Sequence, residues 1–221
     1  MIYAGTRQHL NVESGSWIIT DIGFSNRKHT CGLSFDLADP VCVNFSDLKS
    51  SVTEHIRRAQ STCNLLIEAP LSVAFDRHQN PIGRSIEKEG SKTRYWYVGL
   101  GCAVMTAALY LVRAIHDAKL ANDVRLFEGF VTYKSKDEDS NHDADVRLLR
   151  EGVYDPKKYS NCIFDENSLK MTKDSRVVNA FEVAGLSTGV PLLIKRTAEQ
   201  SHATEPAVGS VLTSTRIAPA R

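Results

Sequence analysis

Asp21 and Glu68 each close an apolar run, the first after Trp17-Ile18-Ile19-Thr20 and the second after Leu65-Leu66-Ile67. A carboxylate held against an apolar sheet is costly without a partner, so both positions call for positive charge or donated hydrogen bonds. For Glu68 the partner is a metal ion or an arginine of the loop that follows. For Asp21 it is a metal ion or the backbone N–H groups of the next turn. The loop after Glu68 is basic, with Arg77, Arg84, Lys88, Lys92 and Arg94 against Glu87 and Glu89. Such a loop either contacts substrate phosphates or stands solvated.

Other clusters carry weaker signals. Asp137, Glu138, Asp139, Asp143 and Asp145 alternate like a calcium loop, but His142 stands where that loop needs Gly and Leu148 where it needs Glu. A solvated surface loop is expected there. Gly99-Leu100-Gly101 is a fragment of a nucleotide-binding pattern without its third glycine, and close helix–sheet packing accounts for it. The chain has no C-x-x-C, no His/Cys cluster with metal spacing and no Gly-x-Ser-x-Gly elbow.

The elements that must position these residues follow from patterning. Residues 17–22 and 30–35 read as strands paired in a hairpin, 41–45 as a third strand after Asp39-Pro40, and 65–69 as a fourth stopped by Pro70. A helix capped by Ser46 or Ser50 runs to about residue 63, with Val52, Ile56 and Ala59 on its apolar side. An apolar helix is expected at 95–121 and a fifth strand at 124–133. Shorter helices follow near 143–151 and 175–186, then an apolar run at 190–194. Three strands followed by alternating helices and strands predict an α/β fold. Its sheet is mixed and five-stranded, an antiparallel meander plus parallel strands, with helices on both faces.

Length and composition agree with one such domain. The chain has 221 residues, 42% of them hydrophobic, with 27 basic against 26 acidic side chains. That balance argues against a strongly basic nucleic-acid sponge and against an acidic disordered chain, while leaving room for a local basic groove. Residues 1–16 read as an N-terminal arm, 17–195 as the domain and 196–221 as a flexible C-terminal tail suited to a protein partner. The stretch 95–112 carries no charge, but its glycines, alanines and tyrosines fit a buried core helix better than a membrane span. Five scattered cysteines and no signal-peptide pattern point to a reducing, cytoplasmic setting without membrane contact.

The motifs Asp21-Ile22-Gly23 with Thr30-Cys31-Gly32-Leu33, Ile67-Glu68-Ala69-Pro70, VRLFEGF, and VVNAFEVAGL with GVPLLI resemble the RNase H-like superfamily. Within it they are most similar to predicted nucleases related to Holliday-junction resolvases, over roughly residues 17–195. The resemblance implies phosphodiester hydrolysis of DNA or RNA by two Mg²⁺ or Mn²⁺ ions held by converging carboxylates. It implies Asp21 and Glu68 as ligands on adjacent strand ends, Glu128 as a third catalytic candidate and Asp174 as the last ligand. The sequence departs from the pattern at that last position, where Ser175-Arg176 stands before Asn179-Ala180. An Arg176 side chain turned into the site would instead make the chain a non-catalytic scaffold or regulatory subunit. Actin-like ATPases share the core, but the chain has one Asp-x-Gly hairpin where they need two lobes.

Overall fold

Along residues 16–22 and 63–68 both side-chain alternations carry large apolar residues, a pattern that demands cover on both faces of the sheet. The computed structural model, which describes residues 1–24, 29–89, 92–93, 96, 99–132 and 141–197, shows how this is met. Strands β1 (Ile2–Ala4), β2 (Ser16–Ile22), β3 (Cys31–Phe35) and β4 (Val41–Val43) precede α1 (Phe45–Arg58) and β5 (Cys63–Glu68). Then come β6 (Ser72–Phe75), β7 (Pro81–Ile82), β8 (Lys88–Glu89), β9 (Lys92–Thr93) and α2 (Leu100–Asp117). The chain continues with β10 (Val124–Thr132), α3 (His142–Tyr154), β11 (Ile163–Phe164), α4 (Glu166–Leu169), β12 (Arg176–Asn179) and β13 (Leu193–Thr197).

The main sheet has eight strands in the order β11-β13-β10-β5-β2-β3-β4, with β1 also beside β10. β2, β3 and β4 form the antiparallel meander, and β5 and β10 run parallel to β2. The five expected strands are thus contiguous, from β10 to the edge strand β4, and β1, β11 and β13 widen the sheet on the β10 side beyond the expected five. β1 pairs with the first half of β10 and β13 with the second. Residues of the expected arm are thereby tied into the sheet, as are Arg196 and Thr197 at the start of the expected tail. The rest of that tail lies outside the described residues.

One face is covered by α1 and α2. Ile18, Ile22, Leu65, Ile67 and Leu126 pack there against Leu48, Val52 and Ile56 of α1 and Ala108, Leu111 and Ile115 of α2. Each fully buried aliphatic side chain contributes roughly 1.5–3 kcal/mol, which suffices to hold α1 although most of its surface is polar. On the opposite face α3 sets Val146, Leu149 and Val153 on Trp17, Ile19, Leu66 and Phe127.

Two expectations need correction. The apolar helix begins later, at Leu100, and buries one stripe only; Leu100, Leu109 and Tyr110 are exposed. It is also the one helix among the described residues long and apolar enough to cross a membrane, with 28% of its span buried. The expected helix at 175–186 is absent. Its branched residues instead form β12, antiparallel to β6 in a separate three-stranded sheet, and the Asn179 side chain accepts the Phe181 N–H to turn the chain out of it.

Candidate metal centre

Asp21 and Glu68 are register partners on the parallel strands β2 and β5, so their side chains leave the same face of the sheet. That face is the one under α3, because Ile19 and Leu66, two residues earlier on each strand, pack in the α3 core. β5 ends at Glu68 while β10 continues to Thr132. Beyond that end, Glu68 Oε1 accepts the backbone N–H of Val131 at 3.2 Å. This bond turns the Glu68 carboxylate toward β10.

The helix α3 adds two groups. His142 and Asp145 stand three residues apart, a spacing that stacks side chains on one helical face. His142 Nδ1 lies 2.6 Å from Asp21 Oδ2, a short hydrogen bond. Ligand atoms of Asp21, His142 and Asp145 all lie within 4.8 Å of one another, with both aspartates buried and the histidine partly so. Two carboxylates and an imidazole at this spacing can hold a metal ion.

Two glycines of the hairpin leave room beside His142, and Gly32 lies against the α3 backbone itself. Gly32 is the cross-strand partner of Asp21, and a Cβ there would lie 2.3 Å from the His142 carbonyl oxygen. At Gly23 a Cβ would meet His142 Nε2 at 2.4 Å. A side chain at position 32 would push the backbone of the helix terminus away from the strand ends, whereas one at position 23 would first meet the Thr30 carbonyl oxygen, at 2.0 Å, and then the His142 ring.

The remaining expected site residues go elsewhere. Glu128 precedes Gly129, the partner of Glu68, so strand alternation turns it to the opposite face. There it is fully buried, paired with Arg84 Nη1 at 2.6 Å and accepting the Ser72 hydroxyl at 2.8 Å. Arg84 is not a substrate-facing residue but the hub of this network, bound also to Glu87 at 3.0 Å. Burial alone would lower the Arg84 pKa, and the charges of Glu128 and Glu87 more than reverse this, so it is raised. Burial raises the Glu128 carboxyl on balance, against the opposing pull of Arg84.

Asp174 is exposed in the turn before β12, away from the cluster, because the segment folds as a strand on β6. Arg176 is exposed on that strand. Arg77 and Lys88 are exposed on the segment that Arg84 anchors to the face opposite Asp21. The Lys92 side chain, Arg94 and the acidic residues 137–139 lie outside the described residues.

His142 and Asp145 sit in the acidic stretch expected to be a solvated loop, and their ligand role was not legible as a calcium motif. The signal that reveals them is helical: an imidazole and a carboxylate at i and i+3 at the start of the helix after the fifth strand. A comparison with protein-family models, curated proteins and solved structures finds no match to the chain.

Proposed function

We propose that the chain is a metal-dependent nuclease of RNase H-like topology that hydrolyses phosphodiester bonds in DNA or RNA. The observation that carries this reading is the Asp21, His142 and Asp145 cluster, beside Glu68 on the neighbouring strand end. Support comes from the order of the strands β2, β3, β4, β5 and β10, which is third, second, first, fourth, fifth along the sheet, and from the motifs that resemble that superfamily. The donor set fits Mn²⁺ or Mg²⁺: carboxylate oxygens suit hard divalent cations, and the imidazole favours Mn²⁺ over Mg²⁺. When bound, such cations stabilise the attacking and leaving oxygens of an in-line displacement. Asp21 and Asp145 supply the negative charge that holds them, His142 orients the Asp21 carboxylate, and Glu68 brings a further carboxylate from β5.

The test is calorimetric Mn²⁺ binding together with cleavage of single- and double-stranded DNA and RNA, comparing wild type with Asp21→Asn. The amide keeps the shape and removes the charge, so Mn²⁺ binding and cleavage should both be lost while the fold remains. Equal cleavage by the two proteins would sink the proposal. A second reading, a scaffold without catalysis, is favoured by one observation: the 2.6 Å Asp21–His142 contact is already a complete hydrogen bond that docks α3 on the sheet. Absence of Mn²⁺ binding by the wild type would select it.

A further inference from the structure

We propose that Arg196 anchors a backbone phosphate of the nucleic-acid strand, in a seat that the Glu151 carboxylate fills at rest; this rests on the nuclease function proposed for the Asp21 cluster. Arg196 lies on β13 in register with Val131 of β10, whose N–H is donated to Glu68. Register partners leave the same face of a sheet, and Val131 packs in the α3 core. Arg196 therefore stands on the face of Asp21 and Glu68, one pleat farther toward the strand ends. Three strand spacings separate β2 from β13, roughly 14 Å at 4.7–4.9 Å each. A strand seated at Asp21 and laid across the ends of β5 and β10 brings a phosphate to Arg196 a few nucleotides from the cleaved bond.

Two buried arginines of this chain differ in how they are satisfied. Arg84 is fully buried, and its Nε, Nη1 and Nη2 are all bonded, to Glu87, Glu128 and the Ser72 hydroxyl. Arg196 is 1% exposed, yet its Nε and Nη1 have no hydrogen-bond partner among the described residues. Its ion pair there is with Glu151 alone, from Nη2 at 3.0 Å. A buried donor left unpaired costs about 1–3 kcal/mol, and more when charged. Arg84 has the pairing of a structural cation, and Arg196 that of one awaiting a further acceptor.

Glu151 marks where that acceptor goes. Its Oε2 accepts both the Arg196 Nη2–H and the Tyr159 hydroxyl, each at 3.0 Å, so two donors converge on one anionic oxygen. The Glu151 side chain is 49% exposed, and exchanging its carboxylate for another oxyanion needs only a rotation into solvent. The Arg196 guanidinium carbon lies 3.6 Å from the Tyr159 ring centroid, which fixes its plane. Lys158 is exposed with its Nζ 5.0 Å from the same ring and adds a second positive charge. A phosphate oxygen in place of Oε2 keeps the Tyr159 and Nη2 bonds, while a second oxygen takes Nε or Nη1. That forked contact is the one that suits arginine to phosphate.

The test is binding of labelled single- and double-stranded DNA and RNA to the full chain in EDTA, without cleavage, over a series of salt concentrations. Arg196→Gln should weaken binding about tenfold or more. It should also lower the slope of log K against log salt by about 0.7–0.9, the loss of one phosphate contact, which a merely structural role would not do. Glu151→Gln should tighten binding several-fold by removing the competing charge, a gain that misfolding cannot produce. Unchanged affinity and slope in both variants, or no oligonucleotide binding by the wild type, overturns the proposal. Calorimetry with inorganic phosphate runs alongside. Phosphate binding that needs Arg196, with oligonucleotide binding that does not, would give the seat to free phosphate and overturn it too. Cleavage that is lost in Asp21→Asn, with both variants binding as wild type, keeps the nuclease and removes Arg196 from it. Binding that follows Arg196 in a chain that does not cleave does the reverse.

Discussion

Gly32 stands directly across the hairpin from Asp21, and its missing side chain is what lets the first turn of α3 bring His142 to that carboxylate. The contact that would be violated is with backbone, a carbonyl oxygen 2.3 Å from a would-be Cβ, so no rotamer change relieves it. The candidate metal centre therefore depends on a residue that contributes no ligand.

Gly32→Ala is accordingly expected to cost about 1–3 kcal/mol, the usual penalty for overpacking a tight interior. It should also weaken Mn²⁺ binding, because His142 and Asp145 move with α3. Urea denaturation and calorimetric titration check the two effects separately.

Glu128→Gln should destabilise the fold by about 1–3 kcal/mol, since it weakens a buried hydrogen bond to Arg84 while Glu87 remains as the counter-ion. Its side chain lies on the face opposite Asp21, so Mn²⁺ affinity of the folded protein should stay as in wild type. A large loss of affinity would show that the two faces are coupled.

The cysteines should separate by burial. Cys42 and Cys102 are exposed, whereas Cys31, Cys63 and Cys162 are buried. Burial, with a further push from Asp36, raises the Cys63 thiol to about 11. Burial and the nearby Asp143 and Asp21 charges also raise Cys42. At pH 8 iodoacetamide should therefore modify Cys102 first and Cys42 more slowly, and the other three only after denaturation. Peptide mapping over time reads the order directly.

The two faces of α2 should respond differently. Leu111→Ala removes a fully buried side chain and is expected to cost about 2–5 kcal/mol. Tyr110, 66% exposed one position away, should tolerate alanine within about 0.5 kcal/mol. Equal losses in chemical denaturation would mean that the outer face of α2 is covered in solution.

Local pattern alone determined the strands that carry Asp21 and Glu68, because apolar runs closed by a charge or by Pro70 leave little choice of element or of end. It also determined α1, whose Val52 and Ile56 spacing needs a sheet to lie on. Glu128 shows where that legibility stops. A strand residue's face depends on which neighbour it is registered with, and only the pairing of Gly129 with Glu68 turned Glu128 away from the site and into the Arg84 network. The segment 175–186 reads as a helix locally, yet pairing with β6 made its first part a strand, since cross-strand contacts override weak propensity. His142 and Asp145 are plain in the sequence as residues but not as ligands. They become a site only because α3 crosses the sheet over Gly32, a contact between segments more than a hundred residues apart that no local pattern encodes.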